Sequence, residues 1–170
     1  MNWTDITIDS AEADFPTLLN TWWSWLLASS YKPIQLSFFG DWFLVNDDGQ
    51  ILFLDVLEGS VEKISDSQEQ LDAMLNEEDW QDRLLLTGFV IAMQRRGAHR
   101  ATGMCYGYRV HPIIGGKTEV SNLVLLDIET WQAICGQIHQ QVKQMKPGTR
   151  IRRLEHEGGL SLRLIPDDSD

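Results

Sequence analysis

Apolar residues at Phe15, Leu18, Leu19, Trp22, Trp23, Trp25, Leu26 and Leu27 predict a helix over Asp14 to Ser30 with an unusually wide apolar face. Pro16 is tolerated in its first turn, and Lys32-Pro33 breaks the pattern. Leu36 to Phe39 and Trp42 to Val45 are rich in aromatic and branched residues, Asp48-Gly49 is a hairpin turn signal, and Ile51 to Asp55 reads as the returning strand. Leu57 to Ser60 supplies another turn before Val61 to Ile64, so this region predicts a small antiparallel meander of two or three strands.

Helical spacing returns after the meander. Ser65 or Ser67 caps a helix carrying Leu71, Met74 and Leu75, with Ser67 three residues before Gln70 in capping-box spacing. A second helix is expected from about Asp79 to Arg96, ended by Gly97, with Arg95 and Arg96 placed to complement its dipole. Leu123 to Ile128 reads as a buried strand. Trp131, Ile134, Cys135, Ile138, Val142 and Met145 then mark a final amphipathic helix, stopped by Pro147-Gly148. The order predicts an α+β fold: N-terminal helix, meander, central helices, then a C-terminal strand and helix.

One segment escapes both periods. Gly103 to Leu123 packs four glycines, two tyrosines and a proline into 21 residues, which implies a closely specified backbone linking helix to strand. Gly115-Gly116-Lys117-Thr118 is not a phosphate loop: the required earlier glycine is replaced by His111, and a strand rather than a helix is expected to follow.

A chain of 170 residues, 43% hydrophobic, suits one domain spanning 1–170, with roughly two thirds of its unfolded surface buried. No apolar run approaches a membrane span, and the N-terminus lacks the features of a signal peptide, so a cytoplasmic protein without membrane contact is expected. Cys105 and Cys135 fit that compartment as buried thiols rather than a bridge.

The net charge of −11 is unevenly distributed: residues 1–82 hold 17 acidic and 2 basic side chains, and residues 83–153 hold 3 acidic and 11 basic ones. Residues 154–170 read as an acidic tail. If the carboxylates of the N-terminal half share a face, they would steer a basic protein toward it and repel nucleic acid. The partner-binding candidates on that face are Asp41, Trp42, Asp47, Asp48, Asp55, Glu58 and Glu62, with an exposed Trp42 serving as an anchor. The cluster Lys143, Lys146, Arg150, Arg152 and Arg153 lacks the interleaved aromatics of a single-strand binder, so nucleic acid is not the expected partner. An acidic face and a basic face on one molecule also offer a route to a homodimer.

The motifs in order are Phe39-Gly40-Asp41-Trp42-Phe43-Leu44, Asp48-Gly49-Gln50-Ile51-Leu52-Phe53-Leu54-Asp55, Glu58-Gly59, Cys105-Tyr106-Gly107-Tyr108, Pro112 to Gly116, Glu119 to Leu123, and Gly136-Gln137-Ile138-His139-Gln140-Gln141. This series, over about residues 15–153, resembles the C-terminal domain of type VI secretion immunity proteins that antagonise a DNase toxin. The resemblance implies a small domain reminiscent of the SUKH immunity superfamily. It also implies a function by binding a protein, a basic nuclease toxin, with no catalysis and no cofactor. The family's best-known members carry an additional N-terminal domain for which 170 residues leave no room.

Rival chemistries find little in the sequence. His99, Cys105 and His111 lack the second close pair of a structural zinc site, so no metal is expected. Cys105 as a nucleophile would need His111 or His139 brought close by the fold. Asp41 and Asp55 as a glycosidase pair sit among turn signals that already account for them. A regulatory or scaffold protein of the same fold with a non-toxin partner is the other alternative.

Overall fold

The computed structural model describes residues 1–167. Its elements run β1 (Thr7–Ile8), α1 (Phe15–Trp23), β2 (Lys32–Ser37), β3 (Trp42–Val45), β4 (Ile51–Asp55), β5 (Ser60–Ser65), α2 (Gln68–Met74), α3 (Glu78–Leu85), α4 (Thr87–Arg95), β6 (Met104–Tyr108), β7 (Leu123–Asp127), α5 (Ile128–Val142), β8 (Ile151–Gly158) and β9 (Ser161–Pro166). The fold is α+β, with an antiparallel sheet ordered β1-β2-β3-β4-β5 and two separate hairpins, β6-β7 and β8-β9.

Local chemistry sets these boundaries. Asp14 caps α1 by accepting from the Thr17 amide at 3.2 Å, and Ser67 caps α2 by accepting from Gln70 at 3.2 Å. In the β3-β4 turn the Asn46 side chain accepts from the amides of Asp48 and Gln50, and Gly49 takes the left-handed φ of 79°. Trp42↔Leu54 and Phe43↔Phe53 then fall into register. The central strands β3 and β4 are buried along most of their length, which puts the core on both faces of the sheet.

The α1 and α5 helices meet over this sheet around one amide. Gln132, fully buried on α5, accepts from the indole nitrogens of Trp23 at 2.7 Å and Trp42 at 2.8 Å, and donates to the Gly40 carbonyl at 2.7 Å. Its neighbour Trp131 donates to the Phe39 carbonyl at 2.9 Å. The β6-β7 hairpin joins the same place, because the Tyr106 amide donates to the Phe38 carbonyl at 2.7 Å.

Several sequence expectations need correction. The first helix ends at Trp23 rather than Ser30, and the meander extends to four consecutive strands with β1 added at one edge. The helix expected over Asp79 to Arg96 is broken at Leu86, whose φ of 50° makes it the one non-glycine residue with positive φ among the described residues. Part of the glycine-rich connection, Met104 to Tyr108, is a strand. The acidic tail is largely β-hairpin to Pro166, while its residues 168–170 lie outside the described residues.

That hairpin docks in an unusual way. Gln137 donates to the Leu160 carbonyl and accepts from the Leu162 amide, and Gln141 repeats the pattern one turn later with the Leu162 carbonyl and the Leu164 amide. Two glutamine side chains on one helix face thus take the part of a neighbouring strand along β9.

Candidate functional site

The β2-β3 turn is built around Ser37. Its hydroxyl accepts from the amides of Phe39 and Asp41, both at 3.1 Å, and donates to Asp41 Oδ2 at 2.7 Å. The other oxygen of Asp41, Oδ1, accepts from the Val56 amide at 3.1 Å, so this carboxyl ties the β2-β3 turn to the β4-β5 turn. Both oxygens act as acceptors, which asparagine does not reproduce. Burial pushes the Asp41 carboxyl up to about 7, and the charge of Asp55 adds to the effect.

The β4-β5 turn is equally constrained. Asp55 Oδ1 accepts from the Glu58 amide at 2.9 Å. Gly59 has φ of 63°, and a Cβ there would stand 2.3 Å from Cγ of His139, so only glycine fits. His139 in turn donates through Nε2 to the Leu57 carbonyl at 2.8 Å, clamping the turn to α5.

Between this turn and the α3-α4 junction lies a pocket of about 200 Å³. Asp41 and Asp55 line it, as do the rings of Phe39, Phe89, Tyr108 and Trp131, with the exposed Arg83 and Thr118 at its edge. Burial, then Asp41 and Asp55, raise the Tyr108 hydroxyl above its ordinary value. Arg83 is turned outward, 3.0 Å from Glu62 and stacked 4.9 Å from the Trp80 ring. Leu86 also lines the pocket, and its left-handed backbone stores about 1–2 kcal/mol. The Asp82 carboxylate supports that kink by accepting from Thr87 Oγ1 and the Gly88 amide.

The structure divides the predicted contact residues. Trp42 is fully buried with its indole committed to Gln132, so the expectation of an exposed anchor is corrected. Asp41 is buried at the pocket. Asp55 and Glu58 sit beside it, and Glu62 lies on β5 paired with Arg83. Asp47 and Asp48 are exposed in the β3-β4 turn, at the other end of β4 and roughly 15 Å away at the rise of a five-residue strand. The seven therefore do not form one face. Some opposite charge is neutralised across the chain: Glu12 and Arg100 pair at 2.6 and 2.8 Å, which holds the Glu12 carboxyl below its ordinary value.

Sequence reasoning missed Gln132, Arg83, Leu86 and Phe89. A polar residue beside Trp131 in an otherwise apolar stripe was the signal for the first, and Gly88 inside a predicted helix was a signal for the kink.

The cysteines and histidines settle elsewhere. Cys105 and Cys135 are fully buried and unbridged, and burial raises both thiols above the ordinary range. The histidine that nears a thiol is His111, whose Nε2 is 4.0 Å from Cys135 rather than from Cys105. His111 Nδ1 accepts from the Ile113 amide, and burial, with His139 adding to it, pulls its pKa down to about 4. Among the described residues no group of three or more His, Cys, Asp or Glu is placed to hold a metal ion, and no helix is long and apolar enough to cross a membrane.

Residues 65–139 match the family model described as T6SS immunity protein Tdi1, C-terminal, the family that the motif series resembles. The matched stretch contributes Arg83, Leu86, Phe89, Tyr108, Thr118 and Trp131 to the pocket. Among solved structures, the "Crystal structure of Atu4351 from Agrobacterium tumefaciens" is similar in fold, with a TM-score of 0.50 and 16% identity over 72% of this chain. The likeness covers 62% of that solved chain. No curated protein matches this chain.

Proposed function

We propose that this chain is a non-catalytic immunity module that binds a type VI secretion toxin of the DNase type in the cytoplasm and occludes its active site or DNA-binding surface. The family match over residues 65–139 carries the reading. The site geometry supports it: a nuclease that grips phosphates presents a cationic surface, and Asp55 and Glu58 stand beside the aromatic pocket of a chain with net charge −11. Long-range attraction of this kind accelerates encounter and weakens with salt, so association slows as ionic strength rises. Both thiols are fully buried and unbridged, which speaks against the rival reading of a cysteine nucleophile.

The test is co-expression with the product of the neighbouring reading frame. Restored growth and an equimolar complex on gel filtration are expected. Continued toxicity with no complex contradicts the reading, and a complex without relief favours a regulatory or scaffolding role for the same fold.

A further inference from the structure

We infer that the pocket between the β4-β5 turn and the α3-α4 junction receives a single cationic side chain, an arginine presented by the bound protein. The inference rests on the immunity reading for the source of that arginine, but the pocket's chemistry stands by itself.

Size is the first argument. At about 200 Å³ the pocket is smaller than the 300–1,000 Å³ typical of small-molecule sites, and it matches one long side chain. Charge is the second. Asp41 and Asp55 both face it, and neither forms an ion pair among the described residues. Their hydrogen bonds come from neutral donors: the Ser37 hydroxyl and the Val56 amide for Asp41, the Glu58 amide for Asp55. The one cation in the lining, Arg83, stands at the pocket's edge, where it pairs with Glu62 and stacks on Trp80 rather than pairing with Asp41 or Asp55. Two carboxyls facing a partly dry cavity without a counter-ion are costly, and an incoming guanidinium relieves that cost.

The walls are the third argument. Phe39, Phe89, Tyr108 and Trp131 offer ring faces or edges around the same space, and a planar guanidinium stacks on such rings while its fork meets a carboxylate. Burial disfavours the charged form of the Asp41 carboxyl, and an incoming cation favours that form.

The test uses the full chain and N-acetyl-arginine amide as probe, titrated in an amide-resolved NMR experiment at low salt, with N-acetyl-norleucine amide as the apolar control. Saturable shifts at Val56, Leu86, Phe89 and the Trp131 indole are expected with the arginine probe, at a dissociation constant of roughly 1 mM as suits a single contact. Asp55→Asn keeps the acceptor for the Glu58 amide and should weaken the probe about tenfold, whereas Asp47→Asn at the far turn should not change it. Absence of shifts, equal binding of norleucine, or equal affinity in Asp55→Asn would each overturn the inference. No toxin enters this titration, so its failure leaves the immunity reading intact, and failure of the co-expression test leaves the pocket result intact.

Discussion

Replacing Gln132 with leucine removes one amide and strands three groups that it serves: the indole N–H groups of Trp23 and Trp42 and the carbonyl of Gly40. All lie in a core where Gln132, Trp23 and Trp42 are fully buried, so water does not replace the lost partner without opening the packing. An orphaned buried polar group costs about 1–3 kcal/mol, which places Gln132→Leu at roughly 3–9 kcal/mol before the added apolar burial offsets part of it. Against a total stability of about 5–15 kcal/mol, the variant is marginal. Urea unfolding followed by tryptophan fluorescence and far-ultraviolet circular dichroism measures the loss. A cycle with Trp42→Phe sharpens it: with one donor already gone, Gln132→Leu should cost about 1–2 kcal/mol less. A loss below about 1 kcal/mol, or a strictly additive cycle, would refute the claim that this amide organises the core. The consequence is functional, because Gly40 precedes Asp41 and the same network sets the turn that carries the pocket's buried carboxyl.

Three other outcomes follow from the geometry. His111 is pulled to about 4 from an ordinary 6.5, so between those values the unfolded chain binds more protons and its contribution to stability falls on acidification, by up to about 3 kcal/mol. Asp41, raised to about 7, has the opposite sign, its contribution being full below its ordinary 3.8 and lost as pH rises through 7. His111→Gln should therefore be relatively more stable at pH 4.5 than at pH 7 when compared with the parent, and unchanged pH dependence in chemical denaturation would count against the His111 assignment. Gly59→Ala meets both a left-handed backbone and the His139 ring, and should cost roughly 2–4 kcal/mol, a penalty that shrinks in a His139→Ala background if the clash is real. Alanine at both Gln137 and Gln141 should speed tryptic cleavage within β8 at Arg152 and Arg153 while leaving the unfolding midpoint of the core nearly unchanged; equal cleavage rates would mean that the amide contacts do not hold the hairpin.

The parts of the fold that obey a single period were legible. The β3-β4 hairpin follows from alternation around Asp48-Gly49, and α5 from the apolar stripe through Trp131, Cys135 and Ile138. Part of what sequence reading missed depends on partners distant in the chain, and part on local turns. Gly107 looks like a loop residue, but it is a strand position where a Cβ would stand 2.8 Å from Leu126 and Trp131. Leu86 favours helix locally, yet it takes a left-handed turn, which Asp82 supports by accepting from Thr87 and Gly88 at the next helix start. The β8-β9 hairpin was hidden because its charges read as a solvated tail, although Gly158-Gly159 punctuates an alternating pattern.

The candidate site divides along the same line. The acidic turn at Asp55 and Glu58 was visible, since turn residues announce themselves. Burial of Trp42 was not, because an aromatic strand residue faces core or solvent according to the register of the whole sheet.

Hydrogen exchange on the complex with the proposed toxin partner tests the central claim most directly, by asking whether the acidic pocket is where the partner sits. Slowed exchange is predicted in residues 55–59, 83–89 and around Thr118. Protection confined to the hairpin over 151–166, with the pocket unchanged, would contradict it.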